Sequence, residues 1–241
     1  KAEGYFTKEA YELFKELEFK NMLKHFDNTD NNDKNEELKK GFHILPDKDA
    51  CKAVLKECAE IAGSLGMTVL LQDKQFAGLA FCKDANNVYF YYQESNTIEP
   101  NQQLSLFDNV DNANENEIAD LLYELSGKTS IATADIKCAY DYLQPENICN
   151  YFDIVLAAYL LNPLKSDYDC EAIANEYLGI MIPGTKEVFG KKNLKEAYAE
   201  NPNLVAEFYM YQAYTAFAVK AVLEEKLKEA KMLNLMKDIE M

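Results

Sequence analysis

The stretch YFDIVLAAYLLNP (151–163) places one acid, Asp153, inside an otherwise apolar run. A carboxylate in such a setting has two uses. It can join other acids as an oxygen ligand for a hard cation such as Mg²⁺, or it can cap a helix by accepting backbone N–H bonds. Asp153 directly precedes the apolar segment IVLAAYLL, so it is expected to be an N-cap. Soft-metal chemistry is poorly supplied. The six cysteines (Cys51, Cys58, Cys82, Cys138, Cys149 and Cys170) form no CxxC pair, and only His25 and His43 could join them. A structural zinc site is therefore not expected. Cys51 and Cys58 are spaced i, i+7, which suits core packing. Scattered free thiols fit a reducing cytoplasm. Tyr89, Tyr91 and Tyr92 could stack on bases, but alternation on a half-buried strand explains them better. Lys191, Lys192 and Lys195 form the one local basic cluster; they could touch a DNA backbone, but offsetting neighbouring acids explains them better, and Glu224, Glu225, Asp238 and Glu240 are expected to be solvated faces.

Those residues must be held by elements the pattern also predicts. Residues 5–26 carry apolar positions at Leu13, Phe14, Leu17, Met22 and Leu23 and predict one or two helices. DNTDNNDKNEE (27–37) is polar and predicts a mobile linker, so residues 1–40 are expected to be a helical arm and linker ahead of a main domain over 41–241. FHILP (42–46) predicts a strand, and 47–63 a helix with Ala50, Val54, Leu55, Cys58 and Ile61 on one face. MTVLLQ (67–72), QFAGLAFC (75–82) and NVYFYYQ (87–93) predict an antiparallel meander. Residues 96–117 predict a surface excursion, 118–125 a helix and SIATA (130–134) a buried strand. Beyond that the chain is expected to be helical, ending in a long amphipathic helix over 204–231. This order fits an α/β layer with a mixed sheet.

Five strings in this order resemble the middle of bacterial DNA polymerase I. FDIVLAAYLLNP followed by YDCEAIANEYLG is similar to that family's Phe-Asp, apolar helix, Leu-Asn-Pro, and helix ending in Tyr-Leu-Gly. DIKCAYDYL (135–143) resembles Asn-Leu-Lys-Tyr-Asp-x-x-x-Leu, and YMYQAYTAFAVKAVLEEKL (209–227) resembles Tyr-x-x-x-Asp-Ala with its long helix. LMKDIEM looks like the hinge before the polymerase thumb, and FTKEAYELFKELEFK like the connector after the 5' nuclease domain. The resemblance covers roughly residues 42–241 and is to the 3'–5' exonuclease domain, a DEDD exonuclease. It implies an α/β, ribonuclease H-like mixed β-sheet, with an antiparallel meander plus parallel strands flanked by helices. It also implies a fragment of a longer DNA replication and repair polymerase, as does an opening Lys in place of Met.

The family's reaction is a two-metal phosphodiester hydrolysis, with ions about 4 Å apart. By the resemblance, it takes an Asp-x-Glu pair on the first strand, an Asp after the fourth strand, and an Asp on the last helix one turn beyond a Tyr. Here the strand pair falls on Leu70, Leu71 and Gln72. The next acid falls on Ala139, and the last on Ala213, one turn after Tyr209. Asp141 lies two residues beyond Ala139, roughly 200° around a helix. Gln72, Ala139, Tyr209 and Ala213 are therefore vestigial positions, and neither a metal nor another cofactor is expected. A working nuclease that used Mg²⁺ or Mn²⁺ would need replacement acids such as Asp73, Asp135 or Asp141.

The formal net charge of −16 excludes nucleic-acid binding by bulk electrostatics. DNA is then expected as a partner only through the parent polymerase, alongside the neighbouring 5' nuclease and polymerase domains. No apolar window approaches a membrane span. A cytoplasmic monomer is the expectation, as a structural module with no 3'–5' exonuclease activity. The alternatives are an active proofreading exonuclease and a non-catalytic single-strand or protein interaction module.

Overall fold

The computed structural model describes Ala10, Leu13, Phe14 and residues 29–61, 63–93, 117–143 and 150–241. The rest of the segment over 5–26 and the excursion up to residue 116 lie outside the described residues.

The elements are α1 (Thr29–Lys39), β1 (Phe42–Ile44), α2 (Lys48–Ile61), β2 (Ser64–Gln72), β3 (Gln75–Asp84) and β4 (Asn87–Tyr92). These are followed by α3 (Glu117–Ser126), β5 (Ser130–Thr133), α4 (Ile136–Leu143), β6 (Tyr151–Asp153), α5 (Ile154–Leu161) and α6 (Cys170–Leu178). The chain finishes with α7 (Thr185–Val188), α8 (Leu194–Glu200), α9 (Pro202–Glu229) and a terminal turn made of a short α-helical piece (Leu233–Leu235) and a π-helical one (Met236–Glu240). The strands form one sheet in the order β1-β4-β3-β2-β5-β6. The predicted meander β2-β3-β4 is antiparallel, whereas β1 joins β4, and β5 and β6 extend from β2, all in parallel. This is the α/β, ribonuclease H-like mixed sheet implied above.

β3 shows why the meander reads as apolar runs and not as clean alternation. Leu79 and Phe81 pack with α2, α3 and α4 on one face, against Cys51, Leu55, Cys58, Ile118 and Leu122. Ala80 and Cys82 pack on the other face against α8 and α9, with Leu194, Val205, Phe208 and Ala213. A strand covered on both faces needs apolar residues at consecutive positions. The β2–β3 hairpin closes through Asp73 and Lys74, both left-handed at φ 52° and 66°. That is the two-residue turn whose twist matches the flanking strands. Gly66 on β2 is required by close approach, since a Cβ there would lie 2.1 Å from the Ala213 carbonyl oxygen on α9.

Two expectations are corrected. The polar stretch 27–37 is not a linker where it is described, because 29–39 is helical. Leu38 is buried with Ala174, Ile180, Ile182 and Tyr211, the Asn35 side-chain amide donates to the Met181 carbonyl, and Lys39 pairs with Glu207. One apolar anchor and a few polar contacts hold it, too sparse a pattern to mark a helix in the sequence. The region after 134 is not wholly helical, since Tyr151–Asp153 forms the edge strand β6. Its three residues run straight into an apolar helix, and periodicity cannot divide such a run.

Candidate functional site

Asp153 ends β6 and begins α5. It is buried, and its Oδ1 accepts from the backbone amides of Val155 (2.8 Å) and Leu156 (3.1 Å), the expected N-cap. The sequence did not show its third partner. Oδ2 accepts from the amide of Ile136 at 2.8 Å, the first residue of α4. One carboxylate thus closes the starts of two helices at the ends of adjacent parallel strands. Both oxygens are engaged by backbone donors, so Asp153 is a structural hub.

The vestigial positions divide between the two faces of the sheet, so Ala139 does not meet Tyr209 and Ala213 in one site as the resemblance implies. Tyr209 and Ala213 lie one turn apart on α9 and share a cluster with Leu70, Ala80 and Phe90. Tyr209 lies near parallel to the Phe90 ring (15°, centroids 6.3 Å apart) and meets Phe189 and Phe208 edge-on. Burial pushes its hydroxyl well above the ordinary tyrosine range. Ala213 is fully buried. Ala139 instead packs with Ile136, Leu143 and Phe76 in the cluster on the opposite face. Gln72 is partly exposed at the end of β2, beside the hairpin. Gly66, which touches α9, sets the strand's phase. Alternation then turns Thr68 and Leu70, a residue apart like an Asp-x-Glu pair, toward α9 as well. Both are buried, and the Thr68 hydroxyl has no hydrogen-bond partner.

Two of the acids that could substitute are exposed. Asp73 is exposed on the hairpin turn. Asp135 is exposed, left-handed at φ 57°, and accepts from the Cys138 thiol at 3.0 Å. That contact, with some burial, pushes the thiol up to about 11. Asp141 belongs to α4. Among the described residues, no group of three or more His, Cys, Asp or Glu side chains is placed to hold a metal ion. The donor set at the vestigial positions consists of methyls, an amide and a phenol, and it does not fit a pair of hard cations that require carboxylate oxygens.

Other residues behave as their types predict. Tyr89 and Tyr91 face one cluster, and Phe90 and Tyr92 the other. Cys51 and Cys58 are buried, with burial pushing their thiols up to about 12 and about 11. Lys192 pairs with Glu200. The chain contains no arginine, so the planar fork that grips phosphate in bidentate fashion is missing. Among the described residues no helix is long and apolar enough to cross a membrane.

No family model matches this chain, and no curated protein matches it. Solved structures do. The POL domain of Pol1 from M. smegmatis, in complex with DNA primer-template and dNTP, matches at TM-score 0.55 and 16% identity over 81% of this chain. The chain spans only 29% of that Pol1 chain. NrnC of Brucella melitensis bound to pGG matches at TM-score 0.54 and 14% identity, over 82% of this chain and 85% of NrnC. The Nibbler EXO domain of Aedes aegypti matches at TM-score 0.52 and 9% identity, over 82% of this chain and 95% of that domain. With the sheet order and flanking helices described above, these likenesses give the chain a 3'–5' exonuclease-like fold.

Proposed function

We propose that this chain is a degenerate 3'–5' exonuclease-like domain that does not hydrolyse DNA and serves as a structural middle module of a DNA polymerase I-type replication and repair enzyme. The observation that carries this reading is chemical. Ala213 is a buried methyl where the resemblance expects a metal-binding acid, and on that face of the sheet β2 offers Thr68 and Leu70 and no carboxylate. Without several converging carboxylates, two-metal activation of water has no ligands. Ala213 and Leu70 are buried among apolar side chains, so this face of the sheet has an apolar core of its own. Contact with DNA then comes through the rest of the parent chain, which suits a net charge of −16 and the lack of arginine.

The test pairs Mn²⁺ titration calorimetry with degradation of an end-labelled single strand. Neither binding nor shortening is expected. Micromolar Mn²⁺ affinity together with loss of 3' nucleotides would refute the proposal and make replacement acids such as Asp73, Asp135 or Asp141 the ones to mutate. Binding without shortening would mark an acidic surface site and leave the absence of hydrolysis standing.

A further inference from the structure

Lys220 lies on α9, away from the vestigial positions, against the starting ends of the parallel strands β2 and β5. Its Nζ donates to Ser64 Oγ at 3.1 Å and to Ser130 Oγ at 2.6 Å. Those serines are the first residues of β2 and β5 and are register partners in the sheet. The Ser130 hydroxyl donates a hydrogen bond to the Asn150 carbonyl at 3.3 Å, which turns its lone pairs toward the amine. The side chain is partly exposed.

This setting differs from that of the ion-paired lysines. Lys52, Lys165 and Lys192 each pair with a glutamate. Lys220 has two neutral hydroxyls instead. The charges facing it are Glu224, one turn along α9, and Lys237 from the terminal turn, which pair with each other at 3.6 Å. Partial burial disfavours the ammonium form and lowers the Lys220 pKa below the ordinary lysine range, with Glu224 opposing and Lys237 reinforcing the shift.

We infer that Lys220 is an acyl-modification site, its ε-amine held by Ser64 and Ser130 to accept a small acyl group from an activated donor, an acyl phosphate or an acyl thioester. The unprotonated Nζ adds to the acyl carbonyl carbon and a C–N bond forms. The acyl C–O or C–S bond breaks, its electron pair leaves on phosphate or thiolate, and the surplus proton on nitrogen passes to water. The product amide keeps a single N–H where the ammonium had three. At most one of the two serine contacts survives, and the grip of α9 on β2 and β5 is loosened.

The experiment incubates the 241-residue chain at pH 8 with acetyl phosphate in one arm and an acetyl thioester in the other. Peptide mass mapping then follows the occupancy of each lysine with time. Lys220 is expected to acylate at least about threefold faster than Lys52 and Lys192 in one arm or both, and the arms show which donor serves. Glu224→Gln should raise the Lys220 rate and Lys237→Gln should lower it, because the carboxylate favours the ammonium form and the neighbouring ammonium disfavours it. A change in exposure alone would not reverse sign between the two variants. Acylation of Lys220 no faster than of Lys52 and Lys192 in both arms would overturn the inference, as would a rate indifferent to both substitutions.

Discussion

Substituting Asp153 by alanine removes the acceptor for three backbone amides, those of Ile136, Val155 and Leu156. Losing the α5 cap costs about 1 kcal/mol. The amide of Ile136, at the buried start of α4, is left without a partner at a further cost of roughly 1–3 kcal/mol. The sum is about 3 kcal/mol. For a chain of this size each kcal/mol moves the thermal midpoint by about 2–4 °C, so a fall of about 6–12 °C is expected. Asp153→Asn keeps one oxygen but turns an NH₂ group toward either Ile136 or the α5 amides, and should lose about half as much. Thermal and urea unfolding followed by far-ultraviolet circular dichroism measure both variants, with the urea slope showing whether the two-state description survives. A midpoint within about 2 °C of the parent for Asp153→Ala would refute the hub assignment. If Asp153→Asn kept its stability while abolishing a measurable nuclease activity, the residue would be catalytic after all.

Gly66→Ala should destabilise by about 1–3 kcal/mol or more, because the new Cβ meets the α9 backbone at 2.1 Å and only a shift of the helix relieves it; differential scanning calorimetry reads the loss. Asp135→Asn should let the Cys138 thiol fall from about 11 toward its ordinary value of 9.0, raising its reaction with a chromogenic disulfide at pH 8 about tenfold or more; an unchanged rate would show that the carboxylate does not control the thiol. Lys52 bridges Glu117 and Asp49, which hold its ammonium above the usual range, while it holds both carboxylates below theirs. That stabilisation is complete at neutral pH. It is lost as acid protonates the carboxylates below their ordinary values of 4.5 and 3.8, and as base carries Lys52 past 10.5. Lys52→Met should therefore flatten the pH dependence of the thermal midpoint at both ends, and equal slopes in parent and variant would contradict the bridge.

The sequence by itself determined the central architecture. Strand-length apolar runs at 67–72, 75–82 and 87–93, separated by short polar turns, allow little but a meander, and the sheet follows them. The face of α2 and the N-cap role of Asp153 were equally legible, because periodicity and capping are local and need only neighbours in the chain. The absence of acids at Ala139 and Ala213 was plain from residue type alone, since no packing can give a methyl a ligand atom.

What only the tertiary structure decided depends on residues far apart in sequence. The helix over 29–39 exists as a docked element because Leu38 finds Tyr211 and Asn35 finds Met181, partners more than a hundred residues away. β6 is a strand because β5 lies beside it, not because three residues carry a strand pattern. Ala139 and Ala213 face opposite cores of one sheet, and Leu70 shares the core of Ala213 on the face where Gly66 admits α9. The Ser64–Lys220–Ser130 contact joins three segments whose spacing follows no local rule. Local patterns encode which faces are apolar and where helices start. The pairing of those faces is settled by burial and close packing of the whole chain, a cooperative property that no short window contains.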